Sequence, residues 1–266
     1  MASETFISSG RVDADAKTEA AARTPTSPFL TARNVSHSYG QIKVVEGVSL
    51  DVAPGESVAI ISPSGSGKST LLRLLLRLEK PSSGETTFLA PPSDVGAVFQ
   101  EDSLLPWLNV VENLCLLNRL HNKPVAEQQR EKLLTDYGLA EFKDYYPSQL
   151  SGGMKQKVAL CRLLLYAPRL YTLDESMANM DDLSRFALCD ALHAQVAENN
   201  SSILFVTHNL TDALHLADRV LIGTTRPLRL VKEFKNPLPR RRDFHVRFSR
   251  EFQEAVDQLR VWIGQH

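Results

Sequence analysis

Ser57-Val-Ala-Ile-Ile-Ser-Pro-Ser-Gly-Ser-Gly-Lys-Ser-Thr70 is the stretch on which the fold turns. Its apolar opening, 57–61, is short and unbroken, as expected of a strand buried on both faces. A serine- and glycine-rich turn follows, and Thr70-Leu-Leu-Arg-Leu-Leu-Leu76 predicts a helix. In such a strand–turn–helix, Gly65 and Gly67 let the backbone curl so that N–H groups converge on phosphate oxygens. Lys68 adds a full charge beside the β- and γ-phosphates, and the Ser69 hydroxyl can ligate Mg²⁺. The candidate phosphate-binding residues are therefore Ser62, Pro63, Ser64, Gly65, Ser66, Gly67, Lys68, Ser69 and Thr70. An ordinary serine/glycine turn explains the glycines but not a Lys-Ser pair opening a helix.

Position 62 departs from the pattern G-x-x-x-x-G-K-[ST], which wants glycine there. If the site needs a positive φ, serine costs about 1–2 kcal/mol, or roughly tenfold in nucleotide affinity. At a negative φ it costs almost nothing.

With 266 residues, 43% of them hydrophobic, the chain can bury a proper core in one or two domains. A formal charge of −1 argues against a generic nucleic-acid or anionic-membrane binder. No apolar run approaches the ~18 residues that span a bilayer, so membrane association is expected only through a partner. Residues 1–28 are polar and small, without an apolar core, and are expected as a flexible extension rather than a secretory signal. Cys115, Cys161 and Cys189 form no C-x-x-C pair and are expected as small buried groups in a reducing compartment.

Alternation of apolar and polar residues predicts strands at 30–39 and 44–52, and a turn at 53–56. Pro81-Ser-Ser-Gly84 is expected to end the first helix and turn into a strand at 86–89, and another strand is expected over 94–99. From about 108 to 166 the spacing becomes helical, with Val110, Val111, Leu114, Leu117 and Leu120 on one face. Strands resume at 170–173, 202–207 and 219–222, with a helix over 183–196. Strands alternating with helices predict a mainly parallel sheet covered on both faces. An amphipathic helix is expected over 249–263.

Leu170-Tyr-Thr-Leu-Asp-Glu175 is an apolar strand ending in two carboxylates. Asp174 is placed to hold Mg²⁺ and Glu175 to polarise an attacking water, although acidic residues at strand ends also serve as helix caps. Leu150-Ser-Gly-Gly-Met154 leads into a helix over 155–166, where free N–H groups and the helix dipole can hold an anion or simply be capped.

Leu150-Ser-Gly-Gly-Met154 resembles the signature sequence of ATP-binding-cassette (ABC) ATPases. The resemblance runs from roughly residue 29 to 235, with the motifs in the family's order. It implies an α/β P-loop NTPase (RecA-like) fold: a mainly parallel sheet core, antiparallel N-terminal strands and an inserted helical subdomain at about 101–166. Residues 236–266 would form a basic, proline-containing segment and a terminal helix. The implied cofactors are ATP and Mg²⁺. Tyr39 matches the aromatic stacked on adenine, Gln100 the Mg²⁺-sensing glutamine, and His208 the switch histidine at the γ-phosphate. Ser151, Gly152 and Gly153 would meet the nucleotide of an opposite subunit, and Asp181 would bridge the dimer. Catalysis would rest on Glu175, His208 and Lys68.

A narrower likeness, in Phe99-Gln-Glu-Asp-Ser-Leu-Leu-Pro-Trp107 and Asn236-Pro-Leu-Pro-Arg-Arg-Arg242, is to the ATPase subunits of nitrate, sulfonate and taurine importers. It implies a homodimer at the cytoplasmic face of the inner membrane, joined to transmembrane permease subunits and indirectly to a solute-binding protein, with no nucleic acid as partner. Ser62, Ser176 in place of proline, Met154 in place of glutamine and Ala178-Asn-Met-Asp181 depart from the family's pattern. They leave open a regulatory or adaptor subunit with little turnover. A DNA-maintenance or ribosome-associated member would need a coiled-coil insertion or second cassette, and neither is present in the sequence.

Overall fold

The computed structural model describes residues 28–89, 91–100, 104–240 and 242–264. Nearly all of the expected extension (1–27), Glu101 to Ser103 and Arg241 lie outside the described residues. The described chain begins with β1 (Leu30–Tyr39) and β2 (Ile42–Val52), paired antiparallel around Gly40 at φ 58°. Next come β3 (Ser57–Ile61), buried along its whole length, α1 (Lys68–Leu75) and β4 (Ser83–Phe88). β4 returns antiparallel to β1, closing a three-stranded sheet in the order β2-β1-β4.

The remaining elements are β5 (Val95–Val98), α2 (Val110–Leu114), α3 (Leu116–Leu120), α4 (Glu127–Asp136), α5 (Gly152–Tyr166) and β6 (Leu170–Asp174). After them come α6 (Asp182–Asn199), β7 (Ser202–Thr207), α7 (Leu210–Leu216), β8 (Arg219–Gly223), β9 (Leu230–Lys235) and α8 (Arg250–Ile263). The second sheet has the order β5-β6-β7-β3-β8-β9; its first five strands are parallel, and β9 is antiparallel to β8.

Alternate residues of β3 divide the interior. Val58 and Ile60 join α1 and the antiparallel sheet in one core, whereas Ala59 and Ile61 join α5, α6, α7 and α8 in the other. Cys115, Cys161 and Cys189 are buried and unbridged in this second core. The apolar stripe of α8 (Phe252, Ala255, Val256 and Leu259) is buried at helical spacing, as its pattern predicts.

Two local expectations are corrected, and one strand is added. Pro81–Gly84 is not all turn, because β4 already begins at Ser83. Gly84, at φ 79°, lies so close to β1 that a Cβ would come 2.3 Å from the Asn34 carbonyl oxygen. The stripe over 110–120 is broken at Cys115, where the helix ends and restarts, and Leu120 is 65% exposed. β9 was not expected; only Phe234 of its six residues is buried, so its pattern is that of a charged edge strand.

Candidate functional site

β3, β6 and β7 run in parallel register, pairing Ile61 with Thr207 and Asp174 with Val206. The turn after β3, the carboxylates at the end of β6 and His208 after β7 therefore emerge at one edge of the sheet, where the strands' carboxyl ends leave a crevice. A cleft of 340 Å³ opens there, within the range of small-ligand sites. Its walls include Tyr39, Ser64, Gly65, Gly67, Lys68, Ser69, Thr70, Gln100 and Glu175.

Gly67 caps α1 at φ 116°, and a Cβ there would meet the Val44 side chain at 2.7 Å and the Val44 carbonyl oxygen at 2.8 Å. Only glycine fits. Gly65 also has a positive φ, 74°. Ser62 lies outside the positive-φ region, so serine carries no backbone penalty. It is buried, and its hydroxyl shares a 2.6 Å hydrogen bond with that of Ser66.

Lys68 is 4% exposed, and its charge is fully met. Nζ donates to the carbonyls of Ser62 (2.9 Å) and Pro63 (3.0 Å) and lies 3.0 Å from Glu175 Oε1. Ser69 Oγ donates to Asp174 Oδ1 at 3.0 Å. Burial pushes the Asp174 carboxyl above its ordinary range, against the Ser69 hydrogen bond and the nearby cations Arg73 and Lys68. No group of three or more His, Cys, Asp or Glu among the described residues could hold a metal. A hydroxyl and a carboxylate side by side instead suit Mg²⁺, which keeps waters and takes phosphate oxygens for much of its shell.

Glu175 has φ 44°, a left-handed backbone that ends β6 and costs about 1–2 kcal/mol for such a residue. Its amide donates to Val206 O, and its carboxylate reaches Lys68 on one side and His208 Nδ1, at 3.4 Å, on the other. It also lines a second pocket of 180 Å³ together with His208 and Ser176. The Ser176 hydroxyl is buried without a hydrogen-bond partner among the described residues.

Tyr39 stands at the rim, 47% exposed, with its hydroxyl donating to Glu79 at 2.5 Å. Ser151, Gly152, Gly153 and Asp181 are not among the cleft's walls. They gather elsewhere: Ser151 caps α5 through the Met154 amide, and a Cβ on Gly153 would lie 2.9 Å from Asn179 O. Asp181 caps α6 through Ser184 and approaches Lys157 at 3.8 Å. Three wall residues were not foreseen: Ile42 and Val44 of β2, and Arg226 from the β8–β9 connection. A lone arginine distant in sequence carries no motif that could have revealed it.

The sequence profile of the ABC transporter family matches residues 45–178. The chain belongs to that family. Its fold is the P-loop ATPase fold of an ABC cassette, its activity is ATP hydrolysis, and its cofactors are ATP and Mg²⁺. It is 40% identical over 228 residues to the aliphatic sulfonates import ATP-binding protein SsuB 1 of Pseudomonas aeruginosa (strain UCBPP-PA14), covering 82% of this chain and 90% of that protein. It is 41% identical over 203 residues to the SsuB 1 protein of Rhodococcus jostii (strain RHA1), covering 74% and 81%. Among solved structures, the dimeric post-hydrolysis state of the ATP-binding cassette MJ0796 bound to ADP and Pi superposes with a TM-score of 0.63. The two share 28% identity over 77% of this chain and 100% of that one. The ATP-binding subunit of another ABC transporter superposes with a TM-score of 0.70 at 25% identity, covering 89% and 99%. Among the described residues, no helix of this cassette is long and apolar enough to cross a membrane.

Proposed function

We propose that this cassette powers the import of an aliphatic sulfonate or a similar nitrate- or taurine-like anion. One observation carries the reading: Lys68, Ser69 and Glu175 line one cleft, with Asp174 hydrogen-bonded to Ser69 behind them, in a chain whose relatives are named for sulfonate import. Tyr39 offers a face to adenine at the rim. Lys68 binds the β- and γ-phosphates, for which it exchanges its pairing with Glu175. Ser69, Asp174 and Gln100 hold Mg²⁺, which neutralises charge developing on phosphate oxygens. Glu175 orients a water and accepts its proton, steadied by His208. Ser62, Ser176 and Asn179 leave these groups within reach of one another, which favours turnover over a purely regulatory subunit.

Ser151, Gly152, Gly153 and Asp181, gathered away from the cleft, serve the nucleotide of a second copy in a head-to-tail dimer. Residues 29–235 form the cassette, and its helical part, about 101–166, passes the closing motion to permease subunits in the membrane. Residues 236–264 are a docked terminal segment. The assembly sits at the cytoplasmic face of the membrane, with a solute-binding protein on the other side.

Calorimetry with Mg-ATP on wild type, Lys68→Ala and Tyr39→Ala tests the nucleotide site; undiminished binding by Lys68→Ala refutes it. A strain lacking the chain should lose growth on alkanesulfonate as sulfur source. Growth should return with the wild type and not with Glu175→Gln. Loss of uptake of a metal ion or a sugar instead overturns the solute assignment.

A further inference from the structure

The β8–β9 connection touches the phosphate loop at its beginning and middle, and reaches its end through Val44 of β2. At the beginning Gly223 faces Ser62, where a Cβ on the glycine would lie 3.1 Å from the serine Cβ. At the end Leu228 N donates to Val44 O (2.8 Å), and the same carbonyl oxygen packs against Gly67. In the middle Arg226 donates from both Nε (3.1 Å) and Nη2 (2.8 Å) to the carbonyl of Gly65.

The connection is itself braced. Thr224 Oγ1 accepts from Arg229 N (3.0 Å) and donates to Pro227 O (2.8 Å), and Glu46 N donates to Leu228 O (3.0 Å). The guanidinium is thus delivered from a fixed backbone to a fixed acceptor. Its charge also differs from that of Lys68. The lysine is balanced by Glu175, whereas among the described residues Arg226 has no carboxylate partner. It stands in the wall of the cleft as a cation still open to an anion.

We propose that Arg226 is a positioning residue for the nucleoside triphosphate. It pins the left-handed Gly65 turn in its phosphate-receiving shape and adds an uncompensated positive charge at the rim. This rests on the cleft being the Mg-ATP site.

The test titrates the full chain with Mg-ATP by calorimetry and follows steady-state hydrolysis for Arg226→Ala, Arg226→Lys and Arg226→Gln, with Lys68→Ala as control. Losing the forked hydrogen bond should weaken binding about three- to tenfold, with the loss falling in KM rather than kcat. The deficit should be larger at low than at high ionic strength. Arg226→Lys should recover much of the affinity; Arg226→Gln should recover less and lose the salt dependence. The melting temperature should stay within about 2 °C of wild type. Wild-type affinity in Arg226→Ala, with binding lost in Lys68→Ala, overturns this proposal and leaves the cleft assignment standing. Unweakened binding in Lys68→Ala removes the cleft assignment itself. Weak binding accompanied by a lowered melting temperature and no rescue by lysine makes Arg226 a contact of the fold and ends the proposal.

Discussion

Lys68 Nζ and Glu175 Oε1 lie 3.0 Å apart, so the residue proposed to bind phosphate and the one proposed to activate water hold each other's charge. The left-handed backbone at Glu175 makes this pairing available, because β6 ends there and the carboxylate meets both Lys68 and His208. Removing the carboxylate's charge leaves Lys68 wholly to the phosphates. Glu175→Gln is therefore expected to bind Mg-ATP at least as tightly as wild type and to hydrolyse it at least about a hundredfold more slowly. Calorimetry and a phosphate-release assay check both halves. Wild-type turnover in this variant excludes Glu175 as the base.

Asp174 supplies a prediction about pH and metal. Its carboxyl is raised by burial, so the folded chain keeps a proton that the unfolded chain has already lost above about 3.8. By linkage, stability from this group falls as pH rises through that window, and at neutral pH the ionised form is a standing cost. Asp174→Asn should melt at or above the wild-type temperature without nucleotide and should gain nothing from Mg²⁺ in ATP binding. A lower melting temperature together with retained Mg²⁺ dependence would contradict the assignment.

Ser62 now has the opposite expectation from a handicap. Serine needs no positive φ there and shares a buried hydrogen bond with Ser66. Ser62→Gly should lower stability by about 2 kcal/mol, from backbone freedom and an orphaned hydroxyl. It should weaken nucleotide binding and not improve it. Denaturant melts and calorimetry decide, and tighter binding in the glycine variant would reverse the conclusion.

Ser176 carries a buried hydroxyl with no partner among the described residues. Ser176→Ala deletes it at almost no change of shape and should stabilise the chain by about 1 kcal/mol, or about 2–4 °C in Tm. A fall in Tm shows that the hydroxyl is bonded in solution.

His193 links the C-terminal segment to pH. Its Nε2 accepts the Arg242 backbone N–H at 3.0 Å, while Arg242 Nη1 donates to the carbonyls of Leu214, His215 and Ala217. Burial first, and Arg242 second, hold the imidazole below its ordinary value of 6.5. The unfolded chain thus binds the extra proton first, and stability is lost as pH falls below about 6.5. His193→Gln keeps an acceptor that does not titrate. Its Tm should decline less steeply between pH 7 and 5, and parallel curves for the two proteins would sink the idea.

What could be read in advance divides along physical lines. The phosphate turn is legible because a Lys-Ser pair after two glycines has a chemical reason beyond local folding, and α8 because its stripe is spaced for one buried face. The start of β4 is not legible. Gly84 looks like a turn residue in sequence, and only its approach to Asn34 makes it a strand residue. β9 hides because one buried side chain in six gives no alternation to detect. Arg226 joins the cleft through a tertiary contact across 161 positions, a relation that local pattern cannot encode.

The fit of Ser62 beside Gly223 also constrains how such a sequence can change over generations. A β-carbon is present at one of two facing positions and would lie 3.1 Å from its counterpart if both carried one. Replacement of Gly223 by alanine would also press on the Leu228 side chain, 2.4 Å from the new carbon, and through it on the strand bordering the phosphate loop. Filling position 223 is thus resisted first by the Leu228 side chain and second by the Ser62 β-carbon, and a lineage with glycine at 62 is relieved only of the second.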